Sequence, residues 1–161
     1  MSAKPQVLLG HYLKQLKLPA MRREYASIAA VCEKERADYH SYLLRLCEHE
    51  VQERERRSAE RRIKQAGFPV VKTLDNFDFK AQPSLNEPLI RELARGDYIT
   101  AHENVLLMGS VGTGKTHLAC ALGFNACSQS RRVCFTTTSA LVTRLLEARE
   151  SRQLEHVCTN N

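Results

Sequence analysis

Leu8, Leu9, Tyr12, Leu13 and Leu16 recur at the three- and four-residue spacing of one helical face, and Pro19 breaks the pattern. A short first helix is therefore expected to end near Leu18. Met21, Tyr25, Ile28, Ala29 and Cys32 mark a second apolar stripe, with Arg22, Arg23 and Glu24 off it. Asp38 is placed to cap a long third helix, which opens with Tyr39, Leu43 and Leu46 on its apolar face. That helix runs on into VQERERRSAERRIKQ, where Val51, Ala59 and Ile63 are the few apolar positions, and Gly67 followed by Pro69 supplies its stop.

Periodicity then lapses. Residues 68–88, FPVVKTLDNFDFKAQPSLNEP, mix Pro, Asp, Asn and spaced aromatic side chains in the manner of a connector packed onto a domain. Asn86 is suited to cap a short helix carrying Leu89, Ile90, Leu93 and Ala94, with Gly96 ending it. From Asn104 the order changes: NVLLM is a continuous apolar run, GSVGTGKT follows at once, and HLACALGFNACS has helical spacing. RRVCFTTT reads as another apolar strand, and SALVTRLLEARE as a helix through Leu141, Val142, Leu145 and Leu146, capped by Thr138 or Ser139. The predicted organisation is a helical region over 1–67 for DNA or partner contacts, a connector with a short helix over 68–103, and a phosphate-loop core over 104–161. The fold class expected is α/β, with a parallel-sheet core that starts as βαβα and then stops.

Glycine spacing brings in the chemistry. Gly109 and Gly114 frame a GxxxxGK[ST] pattern, and Gly112 adds backbone freedom inside it. Side chains at such positions would obstruct the tight curve that turns successive N–H groups toward phosphate oxygens. The expected nucleotide site is Gly109, Ser110, Val111, Gly112, Thr113, Gly114, Lys115 and Thr116. Lys115 would reach the β- and γ-phosphates of ATP, Thr116 would offer its hydroxyl to Mg²⁺, and the following helix would add its positive N-terminal dipole. A glycine turn with an exposed lysine accounts for neither the three glycines nor the Lys-Thr pair. His117 reads as a packing or solvent-facing residue rather than a catalytic one.

Charge adds a second candidate site. The chain of 161 residues carries a formal net charge of +6, which favours contact with polyanions. In the third helix Arg54, Arg56, Arg57, Arg61, Arg62 and Lys64 outnumber Glu53, Glu55 and Glu60. Two readings stand: a solvated helix laced by i,i+4 charge pairs, or a contact to DNA phosphates through clustered cations. Of all residues, 43% are hydrophobic and 26% charged, and there is no apolar run of about 18 residues that could span a bilayer. The first residues lack an uninterrupted apolar stretch before a cleavage site, so a cytoplasmic protein without membrane association is expected. Cys32, Cys47, Cys120, Cys127, Cys134 and Cys158 have no paired CxxC spacing and no metal-ligand spacing with histidine, and are expected to be reduced thiols packed as small apolar groups.

After Glu150 only SRQLEHVCTNN remains. No later strand ends in the Asp or Asp-Glu that would bind Mg²⁺ and orient water, and no sensor or arginine finger follows, so no catalytic residue is assigned and hydrolysis is expected to be impaired.

The whole chain resembles the N-terminal part of an IstB-type ATP-binding protein, the AAA+ helper ATPase of insertion-sequence transposases, a family similar to DnaC helicase loaders. The matching features are the YLKQLKLPAM helix pair, the Arg/Glu-rich helix ending near AGFP, the KTLDNFDF box, and ENVLLMGSVGTGKTHLACALG followed by VCFTTTSALVTRLLEA. The resemblance implies ATP-dependent assembly on DNA, with the transposase of the same element and a homo-oligomer or full-length relative as partners. It is closer to the transposition family than to the helicase loaders, and an ATP-independent DNA- or partner-binding fragment is a further alternative. VCTNN does not match the family's continuation, and a premature stop or frameshift is the expected origin of the ending. In AAA+ folds the neighbours of the strand before the loop come later in sequence, so 105–108 would keep exposed apolar faces and unpaired backbone groups, and weak stability is expected for this part.

Overall fold

The computed structural model describes residues 5–151. Seven α-helices are formed among them: α1 (Pro5–Gln15), α2 (Pro19–Glu35), α3 (Tyr39–Ala66), α4 (Glu87–Leu93), α5 (Asp97–Thr100), α6 (Lys115–Ser128) and α7 (Thr138–Glu150). Single 3₁₀ turns occupy Leu74–Asn76 and Phe79–Ala81. The chain divides into two compact units between Ser58 and Ala59, inside α3. Among the described residues no helix is long and apolar enough to cross a membrane.

In the first unit, Leu13 of α1, Ala20 and Cys32 of α2 and Leu46 of α3 are buried. Only part of each apolar stripe reaches this core: Leu8, Leu9, Tyr12, Leu16, Tyr39 and Leu43 remain exposed. Pro19 starts α2 at a position where the missing N–H is no loss, and Leu18 before it offers no side-chain cap. The cap comes instead from Glu50 on α3, a residue only 3% exposed, whose Oε2 accepts from the N–H groups of Ala20 at 2.8 Å and Met21 at 3.1 Å. Asp38 caps α3, its Oδ1 accepting from the Ser41 N–H at 2.8 Å. These bonds satisfy donors that helix geometry leaves without partners.

In the second unit α6 is the element around which the rest is arranged. Leu118, Cys120, Ala121, Leu122, Ala126 and Cys127 of this helix are buried. Phe77, Ile90 and Leu118 form an apolar cluster, against which Leu74, Phe79, Leu85, Leu93 and Leu107 pack. Gly123 lets Phe68 lie close to the helix, since a Cβ there would come within 2.9 Å of the Phe68 ring. Asn86 caps α4 through the Leu89 N–H at 3.1 Å. Gly96 turns the chain in the left-handed region at φ 82°, and the short α5 follows, which the apolar spacing had not signalled. For α7 the cap is Thr137, one or two residues ahead of the expected Thr138 or Ser139, with its Oγ1 accepting from the Ala140 N–H at 3.2 Å.

The α/β expectation is overturned. Neither 104–108 nor 131–136 forms a strand, and no sheet is present among the described residues. A strand is defined by ladder bonds to a neighbour, not by its own side chains. The Phe135 N–H donates at 2.8 Å to the carbonyl of Ala66 at the end of α3, so even its backbone is tied to a helix terminus. Alternation survives without the ladder: Val105 and Leu107 are half-buried, whereas Leu106 and Met108 are 83% and 88% exposed. Helices cover one side of this segment and leave the other bare. The architecture is therefore helical, with irregular segments where the parallel core was expected.

Candidate functional site

Residues 109–116 form a loop that runs directly into α6. Gly112 and Gly114 both sit at φ 82°, a conformation that a Cβ would strain. Gly114 is the residue before the helix and supplies no side-chain cap. The N–H groups of Lys115, Thr116 and His117 in the first turn therefore have no intrahelical acceptor, and they lie at the positive end of the α6 dipole.

The loop is braced from within. Thr113 Oγ1 donates to the Ser110 carbonyl at 2.9 Å, and Lys115 Nζ donates to the same carbonyl at 2.5 Å and to Thr113 Oγ1 at 3.4 Å. The lysine is thereby folded over the loop rather than extended into solvent. Val111, Gly112, Gly114, Lys115, Thr116 and His117 line an open depression of about 410 Å³. Its lining offers an ammonium, a hydroxyl, an imidazole and backbone N–H donors, a set suited to an anion. Ser110 and Val111 are exposed, and Val111 is the fully exposed tip of the loop.

Two residues outside the motif support it from behind. The Phe77 ring lies against Gly114, where an added Cβ would approach its Cε2 to 2.7 Å. His117 places its ring edge-on to Phe77, with centroids 5.1 Å apart and planes at 81°. Its Nε2 is 3.0 Å from the Thr73 carbonyl, and because a carbonyl only accepts, Nε2 carries the proton in this bond. Spacing had marked His117 as a packing or solvent-facing residue, and it did not reveal the bond to Thr73. The available signal for Phe77 was the pair of aromatic residues in the NFDF stretch of the connector.

The basic run of α3 is not a uniform cationic face. Arg54 Nε lies 3.3 Å from Glu50 Oε1, and its Nη2 donates to the Lys17 carbonyl at 3.2 Å. Arg56 and Arg57 share Glu53 at 2.9 and 2.7 Å. Their contacts hold the Glu53 carboxyl down to about 2, chiefly through the Arg56 hydrogen bond, then through that of Arg57. Arg62 Nε donates to the Cys127 carbonyl at 2.8 Å, placing a cation at the negative end of α6. Arg61 and Lys64 are exposed and have no ion-pair partner among the described residues.

Of the described thiols, Cys32, Cys120 and Cys127 are buried, and Cys47 and Cys134 are exposed. Burial pushes the Cys120 and Cys127 thiols up. Cys158 lies outside the described residues.

The glycine-framed loop, its lysine and the uncapped helix behind it gather donors suited to an anion. Residues 11–160 match the family described as IstB-like ATP binding protein. The chain belongs to that family. It is 38% identical over 147 residues to a protein of Geobacillus stearothermophilus named as an ATP-binding protein of insertion sequence IS5376, with 91% of this chain and 59% of the relative covered. With the protein named as an ATP-binding protein of IS21 from Pseudomonas aeruginosa it shares 37% identity over 89% of this chain and 54% of the relative. With one from Sinorhizobium fredii it shares 36% over 91% and 50%. The chain thus spans between half and three-fifths of the length of these relatives.

Proposed function

We propose that this chain is an ATP-binding helper of DNA transposition, holding the nucleotide with Mg²⁺ at Gly109–Thr116. The observation that carries the reading is the uncapped first turn of α6 behind the positive-φ Gly112 and Gly114, with the Lys115 ammonium folded over the same loop. In this reading the N–H groups of the loop and first turn receive phosphate oxygens. Lys115 exchanges its bond to Ser110 for the β- and γ-phosphates, and the Thr116 hydroxyl faces Mg²⁺. When bound, the nucleotide supplies the phosphate charge that the loop N–H groups and Lys115 would neutralise. Binding alone is the role proposed for the loop, whose residues supply cationic and N–H donors to phosphate.

The names of relatives from insertion sequences support the transposase of the same element and its DNA as partners; a homo-oligomer or a full-length relative, and a cytoplasmic location, belong to the same proposal. Equilibrium titration with a fluorescent ATP analogue and Mg²⁺ tests the core of this. Saturable binding lost in Lys115→Ala is the expected result, and binding unchanged by that substitution refutes it. Steady hydrolysis that depends on Lys115 would refute the assignment of binding alone.

A second contact has its own support. Arg61 and Lys64 present exposed cations on α3, available to DNA phosphates, beside Arg54, Arg56, Arg57 and Arg62, which hold contacts within the chain. DNA binding that weakens steeply with salt, and weakens further in Arg61→Gln/Lys64→Gln, is expected. If that binding ignores ATP and Lys115→Ala, the DNA contact is independent of the nucleotide site.

A further inference from the structure

We infer that His117 is a positioning residue that couples the nucleotide loop to the 73–79 segment, a role resting on the nucleotide-binding reading above. Four groups form a closed circuit. Gly114 precedes α6, and His117 is the third residue of that helix. His117 reaches back to the Thr73 carbonyl at 3.0 Å and to the Phe77 ring at 5.1 Å. Phe77 in turn occupies the space that a Cβ on Gly114 would need. Motion of the Gly114 backbone must therefore either press on the Phe77 ring or open a gap beside it. A dense apolar contact resists both, since interiors accommodate neither overlap nor void without loss.

Besides the packing of Phe77 on Leu118 of α6 and against Gly114, the segment is held by features that do not touch the loop. Its first 3₁₀ turn is closed by the Phe77 N–H donating to Leu74 at 3.1 Å, and its second is capped by Asp78. Phe79 packs edge-on to Phe77 at 4.9 Å, with the Arg91 guanidinium 5.7 Å from its ring centre. These contacts shape 73–79 internally or tie it to α4. The imidazole ties it to the first turn of α6, beside Lys115 and Thr116. A phosphate that draws this turn into a set geometry thus also sets the position of 73–79, and displacement of 73–79 weakens phosphate binding by the same factor.

Trypsin reports the tie directly, because exposed Lys72 and Lys80 bracket the segment. Without nucleotide, His117→Ala should be cut at these two sites several-fold faster than the unsubstituted chain, with helix content by circular dichroism unchanged. Mg-ATP carrying a fluorescent ribose label should slow cutting of the unsubstituted chain and fail to slow that of His117→Ala. Affinity for the label should fall about tenfold, the loss expected when one partly buried hydrogen bond and its ring contact are removed. His117→Gln, whose side-chain amide can donate to the same carbonyl, should restore protection and most of the affinity, which a purely space-filling role would not require. If His117→Ala does not fold, Phe77→Leu and His117→Gln carry the comparison, with the first unprotected and the second protected. Equal affinity and equal protection in the unsubstituted chain and His117→Ala would overturn the positioning role while leaving nucleotide binding intact. Absence of saturable binding in the unsubstituted chain would instead overturn the nucleotide reading, and the coupling with it.

Discussion

Phe77 fills the space that a side chain at Gly114 would need, its Cε2 lying 2.7 Å from where a Cβ would be. Gly114 is thus constrained twice, by this ring and by a φ of 82°. Gly114→Ala should destabilise the chain by about 1–3 kcal/mol and weaken nucleotide binding, as a strained backbone position does. In a Phe77→Ala background, itself destabilised by loss of a core ring, Gly114→Ala should cost less, because the steric component is relieved. A double-mutant cycle by urea denaturation measures the coupling, and strict additivity would show that the ring and the glycine act independently.

Glu50 serves α2 although it belongs to α3. Removing its carboxylate in Glu50→Ala leaves the N–H groups of Ala20 and Met21 without acceptors in a site where Ala20 is 1% exposed. The expected cost is about 1–3 kcal/mol. Arg54→Ala removes an exposed guanidinium with its bonds to Glu50 and the Lys17 carbonyl, leaves Glu50 its two N–H donors, and should cost about 1 kcal/mol or less. Chemical denaturation of both variants checks the order, and a larger effect for Arg54→Ala would contradict it.

Glu53 gives the charge-laced helix a pH signature. Its carboxyl is lowered from 4.5 to about 2, first by the Arg56 hydrogen bond and then by that of Arg57. A depressed carboxylate contributes stability that is fully present above its unfolded value and is lost as pH falls toward its folded one. The Glu53 contribution should therefore fade between pH 4.5 and about 2. Carboxyl-carbon NMR should place its midpoint near the lower value and show it rising in Arg56→Gln. An ordinary midpoint in the unsubstituted chain would remove the effect.

Thiol chemistry should divide by burial. Iodoacetamide followed by peptide mass mapping is expected to label Cys47 and Cys134 quickly. Cys32, Cys120 and Cys127 should react only on unfolding. Burial also raises the Cys120 and Cys127 thiols, which reduces the reactive thiolate. Rapid native-state labelling of Cys127 would show that α6 opens readily.

Much of the helical layout was legible because it is local. Helical spacing, Pro19, Gly67 and the caps at Asp38 and Asn86 act within a turn or two of where they stand, and the helices follow them. The loop was legible for the same reason, since its glycines and Lys115 lie within eight consecutive residues. Pairing of the basic run was readable only in part. The i,i+3 and i,i+4 partners Glu53, Arg56 and Arg57 follow from helix geometry, whereas Arg54 on Lys17 and Arg62 on Cys127 depend on other elements.

By itself, then, the sequence determined where most of the helices form, where the glycine-framed loop stands and the family to which the chain belongs. Tertiary structure alone decided that the apolar runs at 105–108 and 132–136 form no sheet, that Phe77 and His117 stand behind the loop, and that Glu50 caps α2. The physical reason is the range of the forces involved. A helix satisfies its backbone internally, and a cap or glycine turn acts on its nearest neighbours. A strand exists only when a distant segment supplies its hydrogen-bond partners, and an aromatic ring finds its contact only when the chain folds back upon it.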